Sequence, residues 1–154
     1  MLGHLYEGEI CSAARALEVV GERWSLLTLR NAMFAGMTRF TEFQRSLGVA
    51  PNVLAKRLGS LVDAGLFELR QDGTYLLTEK GLDLKPAIIA LTEWGDRWAR
   101  DEMGRPVVYR HLDCDGEVSL TMTCADCEAR VSTSQVTADV ARWVIERKYA
   151  PRRA

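Results

Sequence analysis

Residues 38–81, TRFTEFQRSLGVAPNVLAKRLGSLVDAGLFELRQDGTYLLTEKG, hold two short helical patterns on either side of a tight turn, then two strand-like runs. The first helix is expected to open at Thr41, whose hydroxyl can accept from the Gln44 amide while Gln44 reaches back, a reciprocal capping box. Phe40, Phe43 and Leu47 then share its inner face, and Gly48 ends it because glycine tolerates the left-handed backbone of a helix terminus. Pro51 suits the first position of a second helix, where its missing N–H leaves nothing unsatisfied. Leu54, Leu58, Leu61 and Val62 make one apolar stripe at helical spacing, and Gly65 closes the helix. LFELRQDGTYLLT then reads as a β-hairpin turning at Asp72-Gly73.

The outer face of the second helix carries the functional information. At 100° per residue, Asn52, Lys56, Gly59, Ser60 and Asp63 lie opposite the leucines, with Val53 and Arg57 on the flank. Asparagine can pair bidentately with adenine, lysine and arginine can reach guanine or phosphate, and valine can touch a thymine methyl. A helix-turn-helix beside a hairpin is the order of elements of a winged DNA-reading module. Its candidate DNA-binding residues are Arg39, Thr41, Asn52, Val53, Lys56, Arg57 and Ser60. The plainer alternative is a solvated helix face. Gly59 gives up about 1 kcal/mol of helix propensity, which close approach of a phosphate backbone or another element would explain.

The 154 residues are 47% hydrophobic and 27% charged, enough to build one or two small cored domains. The net charge of −1 lacks the basic footprint usual for nucleic-acid binding. Local positive charge from Arg39, Arg45, Lys56, Arg57 and Arg70 has to serve instead, which predicts weak non-specific affinity and a modest salt slope. No apolar run is long enough for a signal peptide or a membrane span, so a soluble, cytoplasmic protein with no membrane partner is expected. No internal repeat is visible. The chain has no GxSxG, no phosphate-cradling glycine loop and no HExxH, and only His4 and His111 could act as histidine bases; an enzyme is not expected.

Around the central module, SAARALEVV (12–20) predicts a helix capped by Ser12. ERWSLLTLRNAMFAG predicts a second helix, with Trp24, Leu27, Leu29, Met33 and Phe34 as core mass. Thr78 is expected to cap one long helix running to about Arg100, kinked at Pro86. Its stripe of Leu84, Ile88, Leu91, Trp94 and Trp98 exceeds what a small domain needs to cover itself. Together with Leu17 this gives an expected homodimer interface of Leu17, Ile88, Leu91, Trp94 and Trp98, with intrachain packing as the alternative. Composition shifts at Gly104-Arg105-Pro106, dividing the chain into a domain of residues 1–103 and an extension of 104–154. In the extension VVYRH, EVSLTMT and EARVST look like short strands, followed by a helix at about 138–148 using Val140, Trp143 and Val144, and a disordered Arg152-Arg153 tail. The expected fold class is mainly α with a small β component (α+β): a winged helix-turn-helix, a long dimerisation helix and a small β-rich C-terminal appendage.

Cysteine usage adds two features. Cys11 stands alone at the start of the first helix, where the helix dipole favours the thiolate and makes the thiol more reactive; a small, half-buried structural cysteine fits equally. His111-x-x-Cys114 followed by Cys124-x-x-Cys127 offers four metal-ligand types in two pairs, with Gly116 suited to a tight knuckle turn. The spacing resembles a zinc ribbon. No cofactor is required by the rest of the chain, and structural zinc is the one this cluster suggests. Three small buried cysteines are the alternative.

From Cys11 to Trp98 the chain resembles the HxlR family of winged helix-turn-helix transcriptional regulators. The resemblance rests on CSAARALEVVGERW, TRFTEFQRSLG, NVLAKRLGSLVDAGL, YLLTEKG and ALTEWG in that order. It implies a dimeric, sequence-specific DNA-binding repressor or activator acting on double-stranded DNA, with a palindromic operator and the second helix of the module in the major groove. It also implies that Cys11 matches a cysteine which, in some relatives, senses oxidants or electrophiles, so that an oxidant or small-molecule effector is a further expected partner. The chain departs from the family at Ala50, where a polar cap is common, and in a hairpin turn shorter than the usual wing. A winged-helix adapter that binds protein or ligand without reading DNA is the alternative function.

Overall fold

The computed structural model describes Tyr6, residues 9–99 and residues 102–149; the expectations placed on His4, Arg100, Arg152 and Arg153 lie outside them. It divides into two compact units, one of Met1–Lys85 with Val144–Ala154 and one of Pro86–Trp143. The break between these two units lies at Pro86.

The first unit contains α1 (Ser12–Val20), α2 (Ser25–Ala35), α3 (Phe40–Leu47), α4 (Pro51–Asp63), β1 (Phe67–Leu69), β2 (Tyr75–Leu77) and α5 (Glu79–Leu82). Its core is the leucine stripe read from the sequence. Leu54, Leu58 and Leu61 are fully buried, as are Phe43 and Leu29. α4 packs against α1, α2, α3 and β1. β1 and β2 pair antiparallel, Phe67 opposite Leu77 and Leu69 opposite Tyr75. The hairpin turn differs in kind from a two-residue Asp-Gly turn, which needs positive φ at both central residues. Asp72 is not in that region; Gly73 is, at φ 78°. The Gly73 N–H donates to the Arg70 carbonyl and Arg70 N–H to Thr74, so the loop is a longer turn that ends on a left-handed glycine.

Four local expectations are corrected. α1 is capped by Cys11, not Ser12: its Sγ accepts from the Ala14 N–H at 3.3 Å. α3 opens at Phe40, one residue before Thr41, because Glu42 rather than Gln44 closes the box. The Glu42 carboxylate accepts from the N–H groups of Thr38 and Arg39 at 2.8 Å each, and these bonds hold its pKa below the usual carboxylate range. In α2 only Leu29 of the expected core residues is fully buried. Phe34 is exposed, and the polar Ser25, Thr28 and Asn31 are buried in its place. Thr28 Oγ1 donates back to the Trp24 carbonyl and Asn31 Nδ2 donates to Ser46 Oγ on α3, which satisfies both groups. Finally, Thr78 caps only the short α5. A separate helix, α6 (Lys85–Trp98), begins anew, since Pro86 has no N–H to continue the ladder and instead takes an early helical position.

The second unit joins α6 to the segment beyond it. The Thr92 and Tyr109 hydroxyls lie 2.8 Å apart, Glu93 accepts from the Leu120 N–H, and Arg105 bridges Asp96 and Glu117. The expected β-rich appendage is not built of ladders. Among the described residues of 102–141 there are isolated bridges only, Arg110–Glu117 and Thr123–Arg130 among them, and a 3-10 turn at Thr133–Gln135. The last helix, α7, runs Arg142–Tyr149, and from Val144 onward it counts with the first unit. Val140 and Trp143 are exposed instead of buried, and only Val144 is half-buried.

The two loops that follow the bridges have the same construction. In the first, His111 N–H donates to Gly116 and Asp115 N–H to His111; in the second, Cys124 N–H donates to Ala129 and Glu128 N–H to Cys124. The expectation of no internal repeat therefore fails. HLDCDGEV and CADCEARV are one motif stated twice, masked in the sequence by its short length and the His-for-Cys exchange.

Candidate nucleic-acid interface

α4 presents the face expected of it. Gly48 turns the chain at φ 62°, Val49 tucks into the core, and Ala50–Pro51 opens the helix. Because Ala50 has no side chain that can cap, the first-turn amides of α4 receive no side-chain partner. Asn52 and Lys56 are exposed; Val53 and Ser60 are half-buried on the edge, with Ser60 Oγ donating to the Lys56 carbonyl at 2.9 Å. Gly59 is exposed, and a Cβ placed there would meet no atom within 4 Å, so among the described residues no contact accounts for the glycine. Thr41 is exposed on α3.

Two of the expected DNA-binding arginines are engaged elsewhere. Arg57 Nε lies 2.9 Å from the Glu22 carboxylate, with its side chain 18% exposed. The contact is Coulombic rather than a well-directed hydrogen bond, since Nε is buried without a hydrogen-bond partner. The same Glu22 carboxylate accepts from the Trp24 N–H at 3.0 Å, so Arg57 ties α4 to the α1–α2 turn. Arg39 grips the hairpin tip. Its guanidinium donates to the Asp72 carbonyl and lies 3.3 Å from the Asp72 carboxylate, and its backbone bridges to Thr74. Hydrogen bonds from Thr74, with the Arg39 charge behind them, hold the Asp72 carboxyl below its usual range. The wing is short but latched. Nothing in the sequence marks Glu22 or Asp72 as partners, because both pairings join residues far apart in the chain.

The expected dimer residues separate into two kinds. Ile88 is buried within the chain, as is its neighbour Ile89, and is not available to a partner. Leu91, Trp94 and Trp98 on α6 are 54%, 61% and 70% exposed, and Leu17 on α1 is 48% exposed. Residues at those positions offer large apolar area to solvent, unlike an ordinary terminal helix.

Cys11 is exposed at the α1 cap. In the second unit, His111 Nδ1 and Cys114 Sγ lie 3.2 Å apart. The Cys124 thiol is held below the usual cysteine range by hydrogen bonds from the backbone of Cys127 and Asp126 and from the Cys127 side chain. The two pairs stand apart: among the described residues no three His, Cys, Asp or Glu side chains are gathered closely enough to hold an ion as they are placed. No helix of the described residues is long and apolar enough to cross a membrane.

Comparison with known proteins agrees with this geometry. The model of the HxlR-like helix-turn-helix family matches residues 19–103. An uncharacterised HTH-type transcriptional regulator of Mycobacterium tuberculosis is 40% identical over 142 residues, covering 88% of each chain. The crystal structure of PA1607, a candidate transcription factor, superposes with a TM-score of 0.74 at 35% identity, covering 84% of this chain and 94% of its own. Quinone-bound YodB from B. subtilis superposes with a TM-score of 0.51 at 27% identity, covering 58% of this chain and all of its own. With the family model spanning more than half of its length and relatives matching beyond it, the chain belongs to the HxlR-like helix-turn-helix family, whose members are transcriptional regulators and not enzymes.

Proposed function

We propose that this regulator binds a specific double-stranded DNA site as a homodimer, with α4 in the major groove. The observation that carries the reading is the solvent face of α4, where Asn52 and Lys56 stand exposed beside a glycine that no contact among the described residues requires. Asn52 and Lys56 read base edges or phosphate, and the uncapped amides at the α4 N-terminus seat a phosphate. Leu91, Trp94 and Trp98 supply the dimer contact. A two-fold dimer on a palindromic operator sets its recognition helices about 34–36 Å apart.

The test separates reading from scaffolding. Lys56→Ala and Asn52→Ala are each expected to weaken binding to the selected operator about tenfold, the effect of roughly 1–3 kcal/mol that one good contact contributes. Neither should change the melting temperature. Arg57→Ala is expected to do the opposite, lowering stability by about 1 kcal/mol with a smaller loss of affinity, because its charge is committed to Glu22. Operator binding in a gel-shift or anisotropy titration that ignores both Lys56→Ala and Asn52→Ala would remove α4 as the reader.

The effector reading rests on Cys11 and on the likeness to quinone-bound YodB. The Cys11 sulfur adds to an electron-poor ring carbon of a quinone-class electrophile, forming an S–C bond. The displaced π electrons and the thiol proton pass to one ring oxygen, and the hydrogen of the attacked carbon shifts to the other, leaving a hydroquinone thioether. The sulfur then loses its capping bond to Ala14, which loosens α1 where it packs on α4. Quinone treatment is expected to weaken operator binding of the wild type and to leave Cys11→Ser unaffected, with the adduct mapped to Cys11 by mass spectrometry. Equal loss in both proteins would place the chemistry at another cysteine.

A further inference from the structure

The repeated loops of the second unit match group by group. The residue before each pair bridges to the residue three beyond it, Arg110 to Glu117 and Thr123 to Arg130. One step further out, Val118 N–H donates to Tyr109 and Val131 N–H to Met122. Asp115 and Glu128, each directly after the second residue of its pair, both take φ 56° and are the only non-glycine residues with positive φ among the described residues. A side-chain-bearing residue adopts that conformation only where the surroundings enforce it. Its presence twice, at equivalent places, marks a loop shape that the sequence maintains.

We propose that these loops are two zinc knuckles, and that one Zn2+ per chain is held between a His111–Cys114 pair and a Cys124–Cys127 pair. The first loop already presents its pair near the separation of two ligands in a tetrahedral site. Zinc bonds of about 2.3 Å to sulfur and 2.0–2.1 Å to nitrogen put two such ligands about 3.6 Å apart, and His111 Nδ1 and Cys114 Sγ stand at 3.2 Å. At Gly116 a Cβ would lie 3.2 Å from Cys114 Sγ, so glycine keeps that sulfur clear for an ion. Three thiolates and an imidazole are a zinc donor set, and four protein ligands make the site structural.

The second unit also lacks what zinc would replace. Beyond α6, Tyr109 is the sole buried apolar residue among those described, while Val107, Val108, Leu120, Met122 and Val136 are exposed. A segment with so little core is stabilised in other small domains by a metal, whose binding supplies folding free energy directly.

Full-length protein purified under reducing, chelator-free conditions should contain one zinc per chain by elemental analysis. Replacement by Co2+ should give the visible ligand-field bands of a tetrahedral thiolate site. The double variants His111→Ala/Cys114→Ser and Cys124→Ser/Cys127→Ser should each lose the metal and the bands, while operator binding and the helical circular dichroism of the first unit report that the chain still folds. Wild-type protein without zinc and without a cobalt spectrum would overturn the proposal. So would either double variant that keeps a full equivalent of metal, since each loop would then not be half of one site.

Discussion

Phe43→Ala is expected to destabilise the first unit by about 3–5 kcal/mol, measured by urea or thermal unfolding followed by circular dichroism. Phe43 is fully buried and lies edge-on to two other rings, Phe67 at 6.1 Å and Tyr75 at 6.4 Å, which are themselves edge-on to each other at 6.2 Å. The three rings come from α3, β1 and β2, so this cluster holds the helix-turn-helix to the wing. Truncation removes the transfer free energy of one ring, two favourable ring–ring geometries and leaves a cavity that a two-stranded hairpin cannot fill. In a domain whose whole stability is of order 5–15 kcal/mol, that loss lowers the melting temperature by roughly 12 °C or more. Phe43→Leu, which keeps most of the volume, should lose much less. A Phe43→Ala protein within about 1 kcal/mol of wild type would mean that the hairpin docks without the aromatic cluster, and that Arg39 alone latches it through Asp72.

The residues of this cluster show what kind of information the sequence carries. Helical spacing placed Phe43, Leu54, Leu58 and Leu61 inward, and the glycines and Pro51 placed the helix ends, because those signals are local and the backbone enforces them within a few residues. The exposed face of α4 followed from the same periodicity, and the family resemblance from the order of the pieces. Pairings between distant residues were not legible. Arg57 looks like a free groove-facing cation until the fold brings Glu22 to it, and Arg39 likewise until the wing turns back. Apolar residues in α2 were expected to outrank polar ones for burial. Ser25, Thr28 and Asn31 are buried instead, since each small side chain permits close packing and the larger two find partners there. Ile88 fell in a dimer stripe because a stripe does not say which of its members the chain itself covers. The repeated loop is short and exchanges His for Cys, and its clearest signal is a backbone conformation at Asp115 and Glu128, which residue type barely marks.

Gly81→Ala and Gly59→Ala are expected to change stability in opposite directions, although both replace a helical glycine. By propensity alone each should stabilise by about 1 kcal/mol. At Gly59 a Cβ meets no atom within 4 Å, so the gain is expected in full for the free protein. At Gly81 the Cβ would sit 2.3 Å from the Leu66 carbonyl oxygen and 3.0 Å from Leu77 Cδ2. That oxygen is fixed. It accepts from the Thr78 N–H at 3.1 Å and from the Thr78 hydroxyl at 3.3 Å, and the residue after it begins β1. Relief therefore means displacing α5, breaking the Gly81 N–H bond to Thr78 Oγ1, or shifting the hairpin, and overpacking, which costs about 1–3 kcal/mol, outweighs the propensity gain at this backbone contact. The same pair of variants bears on DNA reading. Gly59→Ala, more stable yet carrying a methyl on the face proposed for the groove, is expected to bind the operator more weakly than wild type. A Gly59→Ala protein that gains stability and keeps full affinity would show that the DNA approaches α4 elsewhere, through Asn52 and Lys56 nearer its start. A Gly81→Ala protein as stable as wild type would show that α5 is free to move away from the hairpin, and that the short helix capped by Thr78 positions nothing in the wing.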